Sequence, residues 1–295
     1  MKEFSLIESL SHMLKDSGIA LGVGDDAALF GDTLIAKDIM AENVHFTPDA
    51  PLDHVMKKLL TANVSDIAAM GGVARYALLG IAVPMGREID PKDILRPFEA
   101  YDVDLIGGDT TSSAGGLFLS LTIVGTPNKY VLTRSGAKAG DLLFLSRPVG
   151  RVRQLLEKEL NGDKDNYNHY LVRAETALGD LLGRTGMATS CIDVSDGVGR
   201  DASHIAEKSG VKIIIEKNKV PVSHLEGIDD PVLYALGSGE EFALLFTMHP
   251  EKKDDLEALS GSSVCIGRVE EGQGVYLEDG DKLTDISDIG YEHTF

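Results

Sequence analysis

The chain of 295 residues carries 28 Lys and Arg against 47 Asp and Glu, a formal charge of −19 at pH 7. Nucleic acid and anionic membrane surfaces need a basic face, so neither is expected as a main partner, and no apolar run reaches the roughly 20 residues that cross a bilayer. Two cysteines, Cys191 and Cys265, make neither a disulfide framework nor a metal-ligand spacing, so a cytoplasmic protein of one large or two ordinary domains is expected.

The opening MKEFSLIESLSHMLKDSG has helical periodicity with charges throughout and no signal-peptide pattern. A strand is predicted over 33–38, leading through a turn to 43–46. A helix over about 52–70 is stopped by Gly71-Gly72. Residues 77–83 read as a buried strand ending at Pro84. Asp90 and Pro91 open a helix to about Tyr101, Asp90 as N-cap and Pro91 at the first helical position. Strands follow over 103–106 and 117–124. A change of domain is expected near 134–140, where SGAKAGD (135–141) is small, polar and turn-rich. Beyond it, strands are predicted over 142–146, 188–194, 212–215, 241–248, 264–269 and 275–277. Helices are predicted over about 170–182 and 200–209, after a polar loop at 161–168.

Five acidic clusters stand out. Gly22-Val23-Gly24-Asp25-Asp26-Ala27 fits the dinucleotide fingerprint formally, but two adjacent carboxylates would repel a pyrophosphate. An acidic metal-binding turn fits better, with simple turn capping as the alternative. Asp66 falls on the apolar stripe of Val55, Leu59, Ala62 and Met70, where an unpaired carboxylate costs several kcal/mol. Asp109 follows Gly107-Gly108 just past the predicted end of its strand, a common place for ligand sites in α/β proteins. Asp193 interrupts an apolar strand and Asp196-Gly197 makes the next turn. Glu240 and Glu241 follow another glycine turn. Together these describe a pocket for Mg²⁺, a hard cation that prefers carboxylate oxygens and bridges to phosphates. No Walker A sequence and no kinase H-R-D or D-F-G set is present. Arg134 is the cationic partner for phosphate oxygens, unless it is a surface residue of the domain junction.

The segments EFSLIE, GVGDDAA, NVHF, NVSDIAAMGG, LIGGDTT, LTRSGAKAGD, IDVSDG, GSGEEFALLFT, CIGRV and GYEHTF, in this order, resemble the thiamine-monophosphate kinases. These belong to the ATP-binding superfamily of aminoimidazole ribonucleotide synthetase, selenophosphate synthetase and a hydrogenase maturation factor. The resemblance implies an α/β (α+β) fold of two domains, 1–137 and 138–295. The first would carry a mixed sheet that binds ATP and Mg²⁺ and pairs across a homodimer, and the second would complete the site. It implies in-line transfer of the ATP γ-phosphate to thiamine monophosphate, giving thiamine diphosphate and ADP. Several Mg²⁺ ions and ATP as co-substrate are implied, with room for K⁺. Carried over by position, Asp26, Asp38, Asp66, Asp109, Asp193 and Asp196 would hold metal. Gly108, Asp109, Arg134 and Ser195 would contact ATP, and His45, Glu240 and Tyr291 would line the thiamine phosphate site. Asp109, Arg134 and Asp196 would be catalytic.

The chain departs from the family at Ala36-Lys37-Asp38, where Ser-Thr-Asp is usual, and at Ser238-Gly239-Glu240-Glu241-Phe242, where Gly-Gly-Glu-Asp-Tyr is usual. Two alternatives follow: a sibling ATP-dependent synthetase, or a catalytically silent homologue that binds nucleotide or thiamine phosphate.

Overall fold

Leu34, Ala36 and Met40 are buried and alternate with exposed Ile35, Lys37 and Ile39 along β2 (Thr33–Ala41), the pattern of a strand with one covered face. In the computed structural model, which describes residues 3–13, 18–163 and 167–294, β2 belongs to a mixed five-stranded sheet. Its other members are β1 (Ala28–Phe30), β3 (Gly72–Pro84), β4 (Asp104–Ser113) and β5 (Phe118–Pro127), in the order β1-β2-β5-β3-β4. Only β3 and β4 run parallel in it. Helix α2 (Leu52–Ala69) covers one face and buries Val55, Leu59, Leu60, Val64 and Ile67 against it. Ahead of the sheet lies α1 (Glu3–Met13), and residues 14–17 of the predicted N-terminal helix lie outside the described residues.

The second sheet has seven strands in the order β12-β11-β8-β10-β6-β9-β7. They are β6 (Leu142–Leu145), β7 (Ala188–Asp193), β8 (Lys212–Glu216), β9 (Leu244–Met248), β10 (Val264–Glu270), β11 (Gly274–Asp279) and β12 (Lys282–Asp285). Helices α4 (Arg151–Leu160), α5 (Thr176–Thr185), α6 (Val198–Ser209), α7 (Pro231–Leu236) and α8 (Lys253–Leu259) complete this half; α3 (Pro91–Leu95) belongs to the first. Among the described residues no helix is long and apolar enough to cross a membrane.

Five local expectations need correction. Residues 43–46, expected to continue beyond a turn after the 33–38 strand, are themselves the turn, with Asn43 at φ +66°, and β2 runs on to Ala41. Asp90 does cap α3, accepting from the Lys92 N–H, but the helix gives way to a 3-10 turn over Arg96–Ala100, because Pro97 has no N–H for an α-type bond. The helix expected from Tyr170 starts only at Thr176; Tyr170 lies in a 3-10 turn, Asn168–Leu171, with its ring buried among the residues of the first core. The strand expected from Glu241 starts at Leu244, since Glu240 (φ +56°) and Phe242 (φ +48°) adopt a left-handed conformation that no strand accommodates. Asp109 lies inside β4, not beyond a strand end, and pairs in register with Gly80. Strands β1 and β12 had no sequence signal strong enough to be predicted.

The two halves meet where α5 crosses α2. At Gly179 and Gly183 a Cβ would overlap the carbonyl oxygens of Ala68 and Gly71. Glycine therefore permits backbone contact at this crossing. Gly183→Ala is expected to lower stability by about 1–3 kcal/mol by forcing the helices apart; urea unfolding of the two proteins measures it.

Candidate active site

Four separate segments bring carboxylates to one pocket between the sheets. Asp26 comes from the Gly22–Asp26 turn, Asp38 from the covered face of β2, Asp66 from α2 and Asp193 from the end of β7. Asp26, Asp66 and Asp193 each offer an oxygen within 4.8 Å of the others. Burial pushes Asp38 up to about 6, against the opposing pull of Asp66 and Lys37. Burial pushes Asp193 up to about 8, with the Asp26 charge adding to it and Ser65 and Arg134 opposing. Asp66 is driven well above the ordinary carboxylate range, first by burial and then by Asp38, Asp193 and Asp26. Asp26 Oδ2 and Asp38 Oδ2 are buried with no hydrogen-bond partner. Such orphaned oxygens are costly unless a cation joins them. An all-carboxylate donor set with spare lone pairs fits a hard divalent cation such as Mg²⁺.

Arg134 closes one side of this pocket. Its backbone N–H donates to Asp25 Oδ1 at 2.8 Å, while Nη2 and Nε donate to Asp26 Oδ1 at 2.6 and 3.2 Å. Burial works against its charge, but Asp26, Asp201 and Asp193 together hold the guanidinium protonated above its usual range. The Asp26 side chain is 1% exposed, so this is a desolvated ion pair, not a surface contact.

Asp196 belongs to a second group with Asp201 and His204 on α6, their ligand atoms again within 4.8 Å. Buried Asp201 accepts the N–H groups of Asp196 and Gly197 at 3.2 and 3.0 Å and so shapes the Ser195–Gly197 turn. Its carboxyl is raised by burial and by Asp196 and Asp193. His204 is pushed down to about 4 by burial and by the charges of Arg134, Arg200 and Lys208. Ser195 is exposed beside this turn.

Gly108 and Asp109 lie elsewhere. A Cβ at Gly108 would overlap the Leu79 carbonyl, which explains the glycine. Asp109 is exposed on edge strand β4, where its carboxylate accepts the Thr110 N–H at 2.9 Å. Its register runs through Gly80 and Ser120 to Ile39, the face that also carries Lys37. Lys37 donates to Ser120 Oγ and Thr122 Oγ1 at 2.6 and 3.2 Å. The lysine that departs from the family pattern therefore faces away from Asp38 and does not enter the acidic pocket.

His45, Glu240 and Tyr291 converge from three distant parts of the chain. His45 Nδ1 accepts the Ala41 N–H at 3.1 Å, which leaves the ring proton on Nε2. Burial, His293 and Lys58 favour the neutral ring, and Glu240 opposes them. The His293 ring lies 5.3 Å from that of His45 and 4.8 Å from that of Tyr291. Glu240 pairs with Lys58 of α2. Its neighbour Glu241 turns inward, accepting from Gly150 N–H (2.7 Å), Val152 N–H (3.3 Å) and Ser238 Oγ (2.7 Å), and serves the start of α4 instead of the site.

Sequence reasoning missed Lys58, His293, Asp201 and His204. Lys58 had a signal: it interrupts the apolar stripe of α2 as plainly as Asp66 does, eight residues earlier. His293 lies in the GYEHTF segment but has no period to mark it.

The fold and pocket define a two-domain α/β protein with a cluster of carboxylates set beside an arginine between its two sheets. Its sequence agrees with that class. Residues 24–126 match the model of the AIR synthase related protein N-terminal domain, and 131–280 match that of the C-terminal domain. A thiamine-monophosphate kinase of Pyrococcus horikoshii is 33% identical, covering 92% of this chain and 90% of its own. One of Haemophilus influenzae is 32% identical over 99% and 98%. The solved structure of AaThiL complexed with AMPPCP and TMP superposes with a TM-score of 0.87 at 30% identity, over 99% of this chain and 97% of the other. The chain belongs to the thiamine-monophosphate kinase family.

Proposed function

We propose that this protein transfers the γ-phosphoryl group of ATP to the phosphate of thiamine monophosphate, giving thiamine diphosphate and ADP. The observation that carries the reading is the buried carboxylate cluster with two orphaned oxygens beside the half-buried Arg134. Asp26, Asp38, Asp66 and Asp193 would hold Mg²⁺ in the buried pocket, while Asp196, beside Asp201 and His204, and Asp109, on the opposite face of the first sheet, lie outside it and would hold only further ions that come with the nucleotide. Bound Mg²⁺ supplies charge neutralisation and orientation of the phosphates. The acceptor is already an anion, so no strong base is required and positioning dominates. Arg134 would offset charge on the transferring phosphoryl group, and Ser195, with Gly108 and Asp109 from β4 outside the Arg134 pocket, would be the further residues at ATP. Neutral His45 donates from Nε2 to the acceptor phosphate, and Glu240 and Tyr291 bind its other end.

The reading takes 1–137 as the nucleotide-binding and dimerisation unit and 138–295 as the unit that completes the site. Exposed Ile35, Ile39, Tyr76 and Leu78 on the uncovered face of the first sheet support a homodimer through that face. Two unpaired thiols support a cytoplasmic setting.

Incubation with ATP, Mg²⁺ and thiamine monophosphate is expected to yield thiamine diphosphate and ADP. Binding of both ligands without product would favour a silent homologue. Exchanging K⁺ for Na⁺ reads any monovalent-cation need. Asp109→Asn is expected to stop turnover and leave the fold intact, since the side chain is exposed; near-normal activity would confine the metal set to the buried pocket.

A further inference from the structure

Lys58 is 1% exposed in the middle of α2, a buried cation among Val55, Leu59 and Thr61 of the same helix. Its ammonium pairs with Glu240 across the junction of the two halves and lies 5.1 Å from the centroid of the Tyr170 ring. A buried ammonium is tolerated only with a partner. Glu240 is held for that role: it adopts φ +56°, and its N–H donates to the Ser195 carbonyl at 2.7 Å. A left-handed glutamate is locally unfavourable, so the surrounding structure must hold it there. Without Lys58, Glu240 would present an uncancelled negative charge where an anionic substrate must approach. With Lys58, the pair is neutral and one carboxylate oxygen is oriented, leaving the other to accept a hydrogen bond.

We infer that Lys58 is a positioning residue for acceptor recognition: it neutralises and orients Glu240, so that the site admits a phosphate ester carrying a nitrogen heterocycle with an N–H donor. The inference rests on the acceptor role of Glu240 proposed above. It separates the α2 helix into two tasks two turns apart, Asp66 toward metal and Lys58 toward acceptor.

The test compares wild type with K58M, K58R, E240Q and K58M/E240Q. Calorimetric binding of thiamine monophosphate is measured alongside KM for each substrate. K58M is expected to weaken thiamine monophosphate binding about tenfold or more while KM for ATP stays within about twofold. K58R is expected to recover most of the loss. In the E240Q background, K58M should add less than about twofold, because the residue acts through Glu240. Should K58M not fold while K58M/E240Q does, that rescue itself demonstrates the coupling. Additive losses, or equal changes in both substrates, would overturn the inference. A wild-type protein that makes no thiamine diphosphate would overturn the proposed activity instead, and calorimetry, which needs no turnover, would still decide the role of Lys58.

Discussion

Asp66→Asn is expected to lower kcat by about 10³-fold while the metal-free protein becomes more stable. Asp66 is the hub of the pocket: Asp26 and Asp193 lie within 4.8 Å, and Asp38 also raises its pKa. Asparagine has nearly the same shape, so no cavity forms. It also removes one of several charges that burial and mutual repulsion already disfavour. A gain on the order of 1 kcal/mol is expected in EDTA. If Mg²⁺ binds as proposed, the same change would delete a ligand, and a metal worth several kcal/mol of transition-state stabilisation would be lost at tenfold in rate per 1.36 kcal/mol. Turnover at saturating substrates and thermal unfolding with and without Mg²⁺ measure both effects. A large fall in melting temperature in EDTA would make Asp66 a structural residue and remove it from the metal set.

Stability in the absence of Mg²⁺ is expected to fall as pH rises above neutrality. Asp193 titrates near 8 in the folded protein against an ordinary 3.8. Above pH 3.8 the folded state therefore binds more protons than the unfolded state, and stability falls as pH rises. His204, pushed down to about 4, acts in the opposite direction, but only below its ordinary 6.5. Between pH 6.5 and 8 the carboxylate effect stands alone. It is expected to withdraw about 1–2 kcal/mol in EDTA. Mg²⁺ bound as proposed would satisfy the ionised carboxylates and is expected to flatten the profile. Urea unfolding at pH 6.5, 7.25 and 8, with EDTA or Mg²⁺, checks it. An unchanged stability across this window in EDTA would mean that Arg134 already compensates the cluster.

Strand and helix cores were legible because their periodicities are local. The α2 stripe, the Asp90 cap and the alternation along β2 all follow from residues a few positions apart. The places that misled are ones where a distant contact or a backbone conformation prevails. Tyr170 leaves its expected helix to fill a core beneath α2, and Glu240 and Phe242 break a strand to present a carboxylate. Asp109 looks like the aspartates of the pocket in sequence, with glycines before it. Only its register on β4 reveals that it shares a face with Lys37 and Ser120 instead. Lys37, the neighbour of Asp38 that departs from the family pattern, points to the other face, since neighbouring strand residues alternate.

The acidic excess and its glycine-flanked clusters pointed from the chain alone to a pocket of carboxylates, because carboxylates on apolar stripes are too costly to retain without a partner. Which aspartates share one pocket, which cation stands opposite each, and that Lys58 faces Glu240 were decided by tertiary structure. Such pairings depend on how two sheets and a glycine-tight helix crossing bring segments more than a hundred residues apart within hydrogen-bonding distance. No local pattern encodes that distance.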